Sequence, residues 1–497
     1  MINNMKRLYL YICSFFFLLP ILFSCKEEEK IVYDKDVKLT VSNQGIMLNK
    51  DGGKEKITIS SLYYWKIYGS SDWCTLDIDE GTPGEAFEVE ISAEKNESQR
   101  PRYSEFVIKS GYDEFTIVVL QPGTEYKEPD KTGMEHSAKE LFYSINNGWN
   151  LGNTMEAYDA SKIGTGESME TAWGNPIVTK ELMQAAFDKG FDCVRIPCGW
   201  QNQLIDGNNP NSLIHPNWIK RVKEVVDYCM EIPGMKVFLN LHHCEWLEKG
   251  CSLDSLATSE PRVFNLWYQV AMEFRDYDER LILGATNEPV ADNSEQATIL
   301  CKYEQAFINA VRGTGGKNAY RKIVYQAPNT NCEYALSFMK SPIDYVPGLM
   351  GMEVHFYSPI TFCMEEDADW GYASYFWGKD YMQEPVMGID RNAVDNEDYV
   401  DNLFPKLKEK FVVNGIPIFV GEYGAEHKNF SSPTIQKIHD ESYVHYHKYI
   451  VSKMKENGLV PFVWDTGGII DRTTYQIGNE LEYNAIKEGA KTNYPTY

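Results

Sequence analysis

Eight short apolar runs recur between residues 148 and 468, and longer stretches with helical periodicity separate them. A short apolar run bounded by Gly, Pro or Asn is typical of a strand buried on both faces. The intervening stretch PNWIKRVKEVVDYCMEI carries its apolar residues at helical spacing. This alternation over residues 138–491 predicts a (β/α)8 barrel. The eight runs are GWNLGNT (148–154), FDCVRIP (191–197), MKVFLNLHH (235–243), LILGATNEP (281–289), KIVYQAP (322–328), LMGMEVHFY (349–357), IPIFVGEYG (416–424) and VPFVWDTGG (460–468).

A doubly wound open sheet is the alternative fold for a chain that alternates strands and helices. Such sheets commonly bind dinucleotides through a GxGxxG turn after a strand, and that motif follows none of the eight runs. The GxSxG elbow of a serine hydrolase is also missing from the sequence. The closed barrel is therefore the favoured fold.

Polar side chains stand at the C-terminal end of nearly every predicted strand. In a (β/α)8 barrel these ends meet at one face, where active sites form. Buried strands seldom carry so many polar residues for packing alone, so their position at one end indicates a functional site. The residues are Asn153, Arg195, His242, His243, Asn287, Glu288, His355, Tyr357, Glu422, Tyr423, Trp464 and Asp465.

Two of these residues, Glu288 and Glu422, are carboxylates at the tips of two different strands. A pair of carboxylates about 5 Å apart across a pocket performs retaining glycoside hydrolysis. One is the acid/base and needs a raised pKa so that it holds a proton, while the other stays ionised and attacks the anomeric carbon. We expect Arg195 and Tyr357 to stabilise the ionised carboxylate. A helix cap or a surface ion pair is the alternative for Glu288, and the second tip carboxylate argues against it.

The other tip residues suit the binding of a sugar. Asn287 can hold the sugar 2-hydroxyl, and Trp464 offers a flat face to the ring. His242 and His355 are assigned positioning roles only, because a lone buried histidine is more often structural than catalytic. Asp465 is expected to do no more than orient a neighbour.

The motifs VRIP, NLHH, TNEP, EVHFY, GEYG and VWD stand in this order on the predicted strands. Together they resemble glycoside hydrolase family 5. The further motifs GWNLGNT and AWGNP make residues 138–491 similar to the subfamily rich in endo-β-1,4-glucanases and xyloglucanases. The resemblance implies that Glu288 is the acid/base and Glu422 the nucleophile. It also implies that six residues line the subsite where the bond breaks, namely Arg195, His242, Asn287, His355, Tyr357 and Trp464.

A metal site is the other chemistry that these residue types allow. His242, His243, Glu245 and His355 are all ligand types. Adjacent histidines on a strand point to opposite faces, however, and the sequence has no HExxH motif. We therefore expect neither a catalytic metal nor a cofactor.

Residues 36–123 alternate apolar and polar side chains, as in AFEVEIS and EFTIVVL, and Gly, Ser, Asp and Pro clusters separate the runs. This pattern predicts an immunoglobulin-like all-β sandwich. WKIYGSSDWCTL and the closing VVLQPG resemble the BACON domain. Trp65 and Trp73 could stack on sugar, but buried core tryptophans are the favoured interpretation. Residues 124–137 are polar and contain Pro and Gly, which indicates a linker to the barrel.

Residues 1–24 predict an export signal, with Lys6 and Arg7 followed by an apolar run too short to span a membrane comfortably. LFSC then resembles a lipobox that would lipidate Cys25, and CKEEEK resembles the tag of surface lipoproteins of Bacteroidetes. A plain signal peptide is the alternative. We expect an anchor in the outer membrane, exposure at the cell surface and a monomer. The net charge of −24 argues against nucleic acid as a partner.

Three functions remain open at this point. The first is a surface endo-β-1,4-glucanase that acts on xyloglucan, which the family resemblance favours, or on mixed-linkage or cellulose-like glucan. The second is the same machinery acting on mannan. The third is a non-catalytic glycan-binding lipoprotein, which would not need both Glu288 and Glu422. The long segment 358–395 is rich in aromatic residues such as Trp370 and Trp377, and it predicts an extended polysaccharide cleft unless it packs a small core of its own.

Overall fold

Alternating apolar residues build the N-terminal part of the chain into two facing sheets. The computed structural model describes residues 39–163, 166–365, 373–386 and 388–496. Ile57, Ile59, Val89 and Ile91 all point into the space between the sheets and are fully buried. The sandwich strands are β1 (Thr40–Val41), β2 (Gly45–Met47), β3 (Gly53–Ser61), β4 (Trp65–Tyr68), β5 (Cys74–Leu76), β6 (Glu80–Gly81), β7 (Gly84–Ala93), β8 (Arg102–Ser110) and β9 (Asp113–Gln121).

The two sheets have the strand orders β1-β3-β7-β5 and β2-β9-β8-β4-β6. The pairing is antiparallel throughout except between β2 and β9. Trp65 is fully buried between the sheets, with its ring 5.9 Å from that of Phe87. Trp73 is half-buried beneath the guanidinium of Arg102, 4.6 Å away. The prediction of an all-β domain is confirmed, and both tryptophans pack within it.

The apolar runs of the second half close into a barrel of eight parallel strands, so the predicted (β/α)8 fold is confirmed. The strands are β10 (Gly148–Asn150), β11 (Cys193–Ile196), β12 (Lys236–Asn240), β13 (Leu281–Gly284), β14 (Ile323–Gln326), β15 (Met350–Phe356), β16 (Ile418–Tyr423) and β17 (Leu459–Val463).

Aromatic side chains seal the N-terminal end of the barrel. The rings of Phe238, Phe419 and Phe462 lie within 6 Å of one another, and Phe142 packs onto Phe419 from below at 4.3 Å. A side chain at Gly148 would clash with Phe462, because an added Cβ would lie 2.2 Å from the ring. This apolar plug leaves the C-terminal ends of the strands as the open end of the barrel.

Helices on the outside cover the barrel with their apolar faces. They are α1 (Ala138–Tyr143), α2 (Lys180–Asp188), α3 (Pro216–Met230), α4 (Glu245–Glu248), α5 (Leu253–Glu273), α6 (Ser294–Arg312), α7 (Cys332–Phe338), α8 (Ile360–Cys363), α9 (Glu397–Leu407), α10 (Pro433–Glu456) and α11 (Glu480–Gly489). None of the helices in the described ranges is long and apolar enough to cross a membrane.

The sandwich contacts the side of the barrel through polar pairs on α5 and α6. Arg100 donates to Asn265 over 2.7 Å, and the Tyr103 hydroxyl donates to Glu260 over 2.6 Å. Lys302 of α6 forms an ion pair with Glu105. The two domains therefore meet through specific contacts in addition to the linker between them.

The sequence leaves open whether Cys244 and Cys251 form a disulfide, and whether the aromatic segment 358–395 lines a cleft or packs a core of its own. Cys244 and Cys251 are both buried and carry free thiols, so they do not bridge. Trp377 is only 1% exposed, and it packs against Tyr446 and Tyr449 of α10. Of the two alternatives for the aromatic segment, a small core of its own therefore holds for Trp377, which does not line the cleft. Trp370 and Tyr372 lie outside the described residues.

Candidate active site

The C-terminal tips of the barrel strands surround an open cleft of about 1720 Å³. A cleft of this volume is larger than a single sugar requires. Of the residues predicted from the strand tips, those that line it are Asn153, His242, His243, Asn287, Glu288, His355, Tyr357, Glu422, Trp464 and Asp465. Arg195 and Tyr423 do not line the cleft and are fully buried, and Arg195 contacts Glu422 and Asn287 from beneath.

Glu422 is held at the base of the cleft by two donors. Its Oε1 accepts from Nη1 of Arg195 over 2.9 Å, and its Oε2 accepts from the Tyr357 hydroxyl over 3.1 Å. The side chain is 8% exposed. Charge-assisted bonds of this kind fix a carboxylate in one orientation, as a nucleophile requires.

A bulge in β16 sets the direction of Glu422. Val354 pairs with Val420 in the barrel, but the next pair joins His355 to Glu422, so Gly421 is an extra residue on that strand. A bulge of this type bends a strand and redirects the side chain that follows it. Here it brings Glu422 level with His355 at the base of the cleft.

Arg195 connects most of the site from below. Its Nη1 donates to Asn150 over 2.9 Å as well as to Glu422, and its Nη2 donates to Asn287 over 2.7 Å. Its Nε lies 2.9 Å from a carboxylate oxygen of Glu353. The guanidinium therefore orients two residues that line the cleft, Asn287 and Glu422, without lining it itself.

Glu288 occupies the opposite wall and is far more open to solvent, with 52% of its side chain exposed. Its backbone adopts φ 45°, a left-handed conformation that is strained for glutamate. The side chain of Gln326, at the end of β14, accepts from the Glu288 backbone N–H over 3.0 Å and supports this turn. Carboxylate oxygens of Glu288 and Glu422 lie within 4.8 Å of each other, the separation of a retaining glycosidase.

His355 bridges the two carboxylates. Its Nδ1 lies 2.7 Å from Glu288 Oε1, and its Nε2 lies 3.7 Å from Glu422 Oε1. Burial by itself lowers the pKa of His355, but the charge on Glu422 and the hydrogen bonds to Glu288 and Glu353 raise it to about 10. The imidazole is therefore a cation at neutral pH.

The raised pKa predicted for Glu288 is wrong for the free enzyme. Burial raises the pKa of Glu288, but the hydrogen bond from His355 and the charges of His355 and Arg195 lower it further, so the net shift is downward. One proton is shared across the Nδ1–Oε1 contact, and in the absence of substrate it belongs to the imidazole.

His242 and Trp464 form the sugar-facing wall beside these carboxylates. The two rings stack at 5.9 Å with an angle of 12° between them. Burial, followed by the charges of Arg195, His243 and His355, holds the pKa of His242 well below its usual range, so it is neutral. Asp465 accepts from the indole of Trp149 over 2.8 Å and forms an ion pair with Arg472, which orients the loop after β17.

Four residues that shape the site were not identified from the sequence. Asn150, Gln326 and Glu353 contact Arg195 or Glu288 from inside the barrel. Glu156 accepts from the backbone N–H groups of Asn153 and Thr154. A signal for Glu353 was present, because it shares a strand face with His355 and Tyr357 at a spacing of two.

Among the described residues, one set of three has ligand atoms close enough together to hold a metal ion, namely Glu288, His355 and Glu422. In this structure their atoms contact one another, Arg195 and Tyr357. The expectation of a mechanism without metal stays a prediction.

Comparisons with known proteins agree with this geometry. The model of glycosyl hydrolase family 5, described as cellulase, matches residues 158–468, and that of the BACON N-terminal binding domain matches residues 63–121. The chain is 32% identical over 458 residues to a xyloglucan-specific endo-β-1,4-glucanase of Bacteroides ovatus, covering 88% of each chain.

Two solved structures extend the comparison. The Bacteroides ovatus GH5 xyloglucanase in complex with a XXXG heptasaccharide superposes with a TM-score of 0.70 at 29% identity, covering 92% of this chain and all of the other. A GH5 xyloglucan-specific β-1,4-glucanase from a ruminal metagenomic library, in complex with XXLG, gives 0.65 at 31% identity, covering 72% and 98%. The chain therefore belongs to glycosyl hydrolase family 5 and combines an endoglucanase-type catalytic barrel with an N-terminal BACON domain.

Proposed function

We propose that this enzyme is a retaining endo-β-1,4-glucanase that cleaves the backbone of xyloglucan, with Glu288 as acid/base and Glu422 as nucleophile. The observation that carries the proposal is the pair itself: two carboxylates within 4.8 Å, one exposed and one fixed, in an open cleft. Such a separation leaves no room for a water molecule between sugar and nucleophile, which favours double displacement.

In the first step, a Glu422 oxygen attacks the anomeric carbon and forms an ester bond with it. The bond from that carbon to the leaving glucosyl oxygen breaks, and this oxygen takes the proton of Glu288. Arg195 and Tyr357 keep the attacking carboxylate aligned. Asn287, held by Arg195, is placed to bond the sugar 2-hydroxyl.

In the second step, a water molecule enters where the leaving group departed. Glu288, now a carboxylate, takes a proton from this water as its oxygen attacks the anomeric carbon. The ester bond to Glu422 breaks and the carboxylate is restored. Two inversions at the same carbon give net retention of the β configuration.

The proton that Glu288 needs comes from its pair with His355. A bound glucan covers the exposed face of Glu288 and removes water from it. Loss of water disfavours the carboxylate and imidazolium as separate charges, and moves the shared proton towards the carboxyl. Substrate binding thereby converts the resting pair into the acid that the first step requires.

The cleft walls support a branched glucan as substrate. Trp173, Ile360 and Val394 line the cleft with exposed fractions of 43%, 55% and 88%. Apolar and aromatic side chains of this kind pack against sugar faces beyond the backbone chain. The named relatives act on xyloglucan, and we infer the same substrate here.

Release of reducing ends tests the proposal. Wild type, Glu288→Ala and Glu422→Ala are incubated with xyloglucan, mixed-linkage β-glucan, carboxymethylcellulose and mannan. We expect wild-type activity to be highest on xyloglucan and to be lost in both variants. If activity is highest on one of the other glycans, that glycan is the substrate and xyloglucan is not. Tight binding without turnover would indicate a glycan-binding protein.

We further propose that the mature chain is a lipoprotein of the outer membrane, exposed at the cell surface and anchored through Cys25. The export signal over residues 1–24 and the acidic CKEEEK segment support this proposal, and both lie outside the described residues. Cys25→Ser should release the enzyme from the membrane fraction. Retention of this variant at the membrane would contradict the anchor.

We also propose a monomer, because one barrel supplies every side chain of the site. Sedimentation equilibrium should give the mass of a single chain. A stable dimer at micromolar concentration would contradict it.

A further inference from the structure

A third glutamate, Glu353 of β15, lies fully buried beneath the two catalytic carboxylates. Its Oε1 is 2.9 Å from Nε of Arg195 and 3.3 Å from Nε2 of His355. Its Oε2 accepts from Nε2 of Gln326 over 2.6 Å. Each oxygen thus contacts a group that in turn holds Glu422 or Glu288.

The barrel wall makes room for this carboxylate at one glycine. A Cβ added to Gly421 would lie 1.7 Å from Glu353 Oε1, closer than any real contact. Gly421 is also the bulge residue that precedes the nucleophile. The lack of a side chain at Gly421 therefore leaves space for the Glu353 carboxylate, and the bulge at the same residue sets the direction of the Glu422 side chain.

The charges around Arg195 change during turnover. Its guanidinium is permanently charged and has two buried carboxylate partners, Glu353 and Glu422, each at 2.9 Å. The other ionisable groups around it include His355, His242, Glu288 and Tyr357. His242 is neutral, His355 is cationic in the free enzyme, and Glu288 is half-exposed to solvent.

Formation of the glycosyl ester neutralises Glu422 and removes one of the two partners. A buried cation left without a counter-ion is strongly destabilised, and the intermediate would carry that cost. We propose that Glu353 is a positioning residue that remains the counter-ion of Arg195 throughout the cycle and so stabilises the glycosyl-enzyme. This inference rests on the proposed double displacement.

Glu353 has a second consequence for the acid/base. It holds Gln326, which supports the strained backbone of Glu288, and His355, which shares its proton. Loss of the Glu353 charge should therefore lower the pKa of His355 as well. The role is indirect, because Glu353 does not line the cleft.

The test measures formation and decay of the covalent intermediate with 2,4-dinitrophenyl 2-deoxy-2-fluoro-β-cellobioside, followed by intact mass. Wild type should gain one fluoro-cellobiosyl group on Glu422. In Glu353→Gln, we expect the rate of labelling to fall by about 100-fold, the size typical of a lost preorganised charge. Reactivation of the labelled variant should be faster than that of wild type, because hydrolysis of the ester restores the Glu422 carboxylate beside Arg195.

Two variants separate charge from packing. Glu353→Asp keeps the charge and should label within about tenfold of wild type. Glu304→Gln alters another fully buried glutamate, which lies on α6 and accepts from Thr286, and this variant should label at the wild-type rate. Equal labelling by Glu353→Gln and wild type would overturn the proposal, as would equal losses in the Gln and Asp variants.

The outcomes also separate this inference from the proposed function. If wild type is not labelled on Glu422, the double displacement itself fails. If wild type is labelled normally and the ratio of labelling to reactivation is unchanged in Glu353→Gln, only the role of Glu353 fails. If that variant does not fold, a Glu353→Asp rate within tenfold of wild type supports the charge requirement, and a larger loss overturns it.

Discussion

Glu288 and Glu422 carry the same functional group, and their neighbours give them different roles. Glu422 is almost buried and bonded to a permanent cation and a phenol, which suits a fixed anion. Glu288 is half-exposed and shares one proton with His355, which suits a group that must alternate between acid and base. At this scale, environment decides function.

Azide should distinguish the two glutamates by the product that it forms. In Glu288→Ala, the ester on Glu422 still forms from an activated aryl cellobioside, and azide replaces water to give a β-cellobiosyl azide. In Glu422→Ala, azide attacks from the vacated nucleophile side and gives the α-azide. NMR of the isolated azides checks the configuration, and the opposite pairing would reverse the assignment.

The buried carboxyl group of Glu304 should make the stability of the fold depend on pH. Burial raises the pKa of Glu304 from 4.5 to about 8, so the folded state keeps a proton that the unfolded state releases. The stabilising contribution is complete below pH 4.5 and is lost as the pH rises to about 8. Glu304→Gln should therefore gain Tm relative to wild type between these limits. A constant Tm difference across that range would contradict the prediction.

The sequence identified the residues that face the sugar but not those that support them. Tip residues such as Asn287 and Glu422 stand out because they interrupt an apolar pattern at a predictable place. Gln326 and Glu353 lie on strands, and of the two only Glu353 had a signal in the sequence, because it alternates with His355 and Tyr357. Their function depends on contacts across the barrel, between residues far apart in the chain.

At the scale of elements, β15 and β16 carry the nucleophile Glu422 and three of the residues around it. Glu353, His355 and Tyr357 follow one another along or just beyond β15, and the bulge at Gly421 brings Glu422 into register with His355. The eight strands themselves were predictable, because a buried strand is recognised from a short apolar run that Gly, Pro or Asn bounds. The bulge was not, because the motif GEYG contains no sign that its first glycine is an unpaired residue.

Gly421→Ala should disrupt this arrangement. The new methyl group would overlap Glu353 Oε1, so that Glu353, Glu422 or both must move. We expect kcat to fall by at least about 100-fold, with a lower Tm because a buried ion pair is displaced.

Gly424→Ala is the matched control for stability. The nearest atom to an added Cβ there is a backbone oxygen of Trp464 at 4.0 Å, so its Tm should match that of wild type. Equal Tm values and equal kcat for Gly421→Ala and wild type would show that the close approach has no consequence.

At the scale of the whole molecule, the negative charge of the protein and its cleft favours neutral substrates over anionic ones. The protein carries a net charge of −24. Among the described residues that line the cleft, eight are carboxylates and none is Lys or Arg. A neutral glucan meets no repulsion in such a cleft, while an anionic one does. The carboxylates are Glu248, Glu288, Glu333, Asp395, Glu422, Glu426, Asp465 and Glu482.

The salt concentration should therefore change kcat/KM only for charged substrates. Raising NaCl from about 10 mM to about 100 mM shortens the Debye length from about 30 Å to about 10 Å. We expect kcat/KM to rise several-fold on carboxymethylcellulose and to stay constant on hydroxyethylcellulose. Equal salt responses of the two polymers would show that the acidic lining does not discriminate.

The sandwich contributes to the molecule without shaping the cleft. The described cleft residues all come from the chain after residue 152, while the sandwich contacts α5 and α6 on the flank of the barrel. Catalysis is therefore a property of the barrel and of its two carboxylates, Glu288 and Glu422.

The anomeric configuration of the first product tests whether Glu288 and Glu422 hydrolyse the glucan by double displacement. Proton NMR of xyloglucan oligosaccharides during the first minutes of hydrolysis resolves the α and β anomeric protons of new reducing ends. Double displacement through Glu288 and Glu422 predicts that the β-anomer forms first and that the α-anomer grows only by mutarotation. Initial formation of the α-anomer would contradict the mechanism.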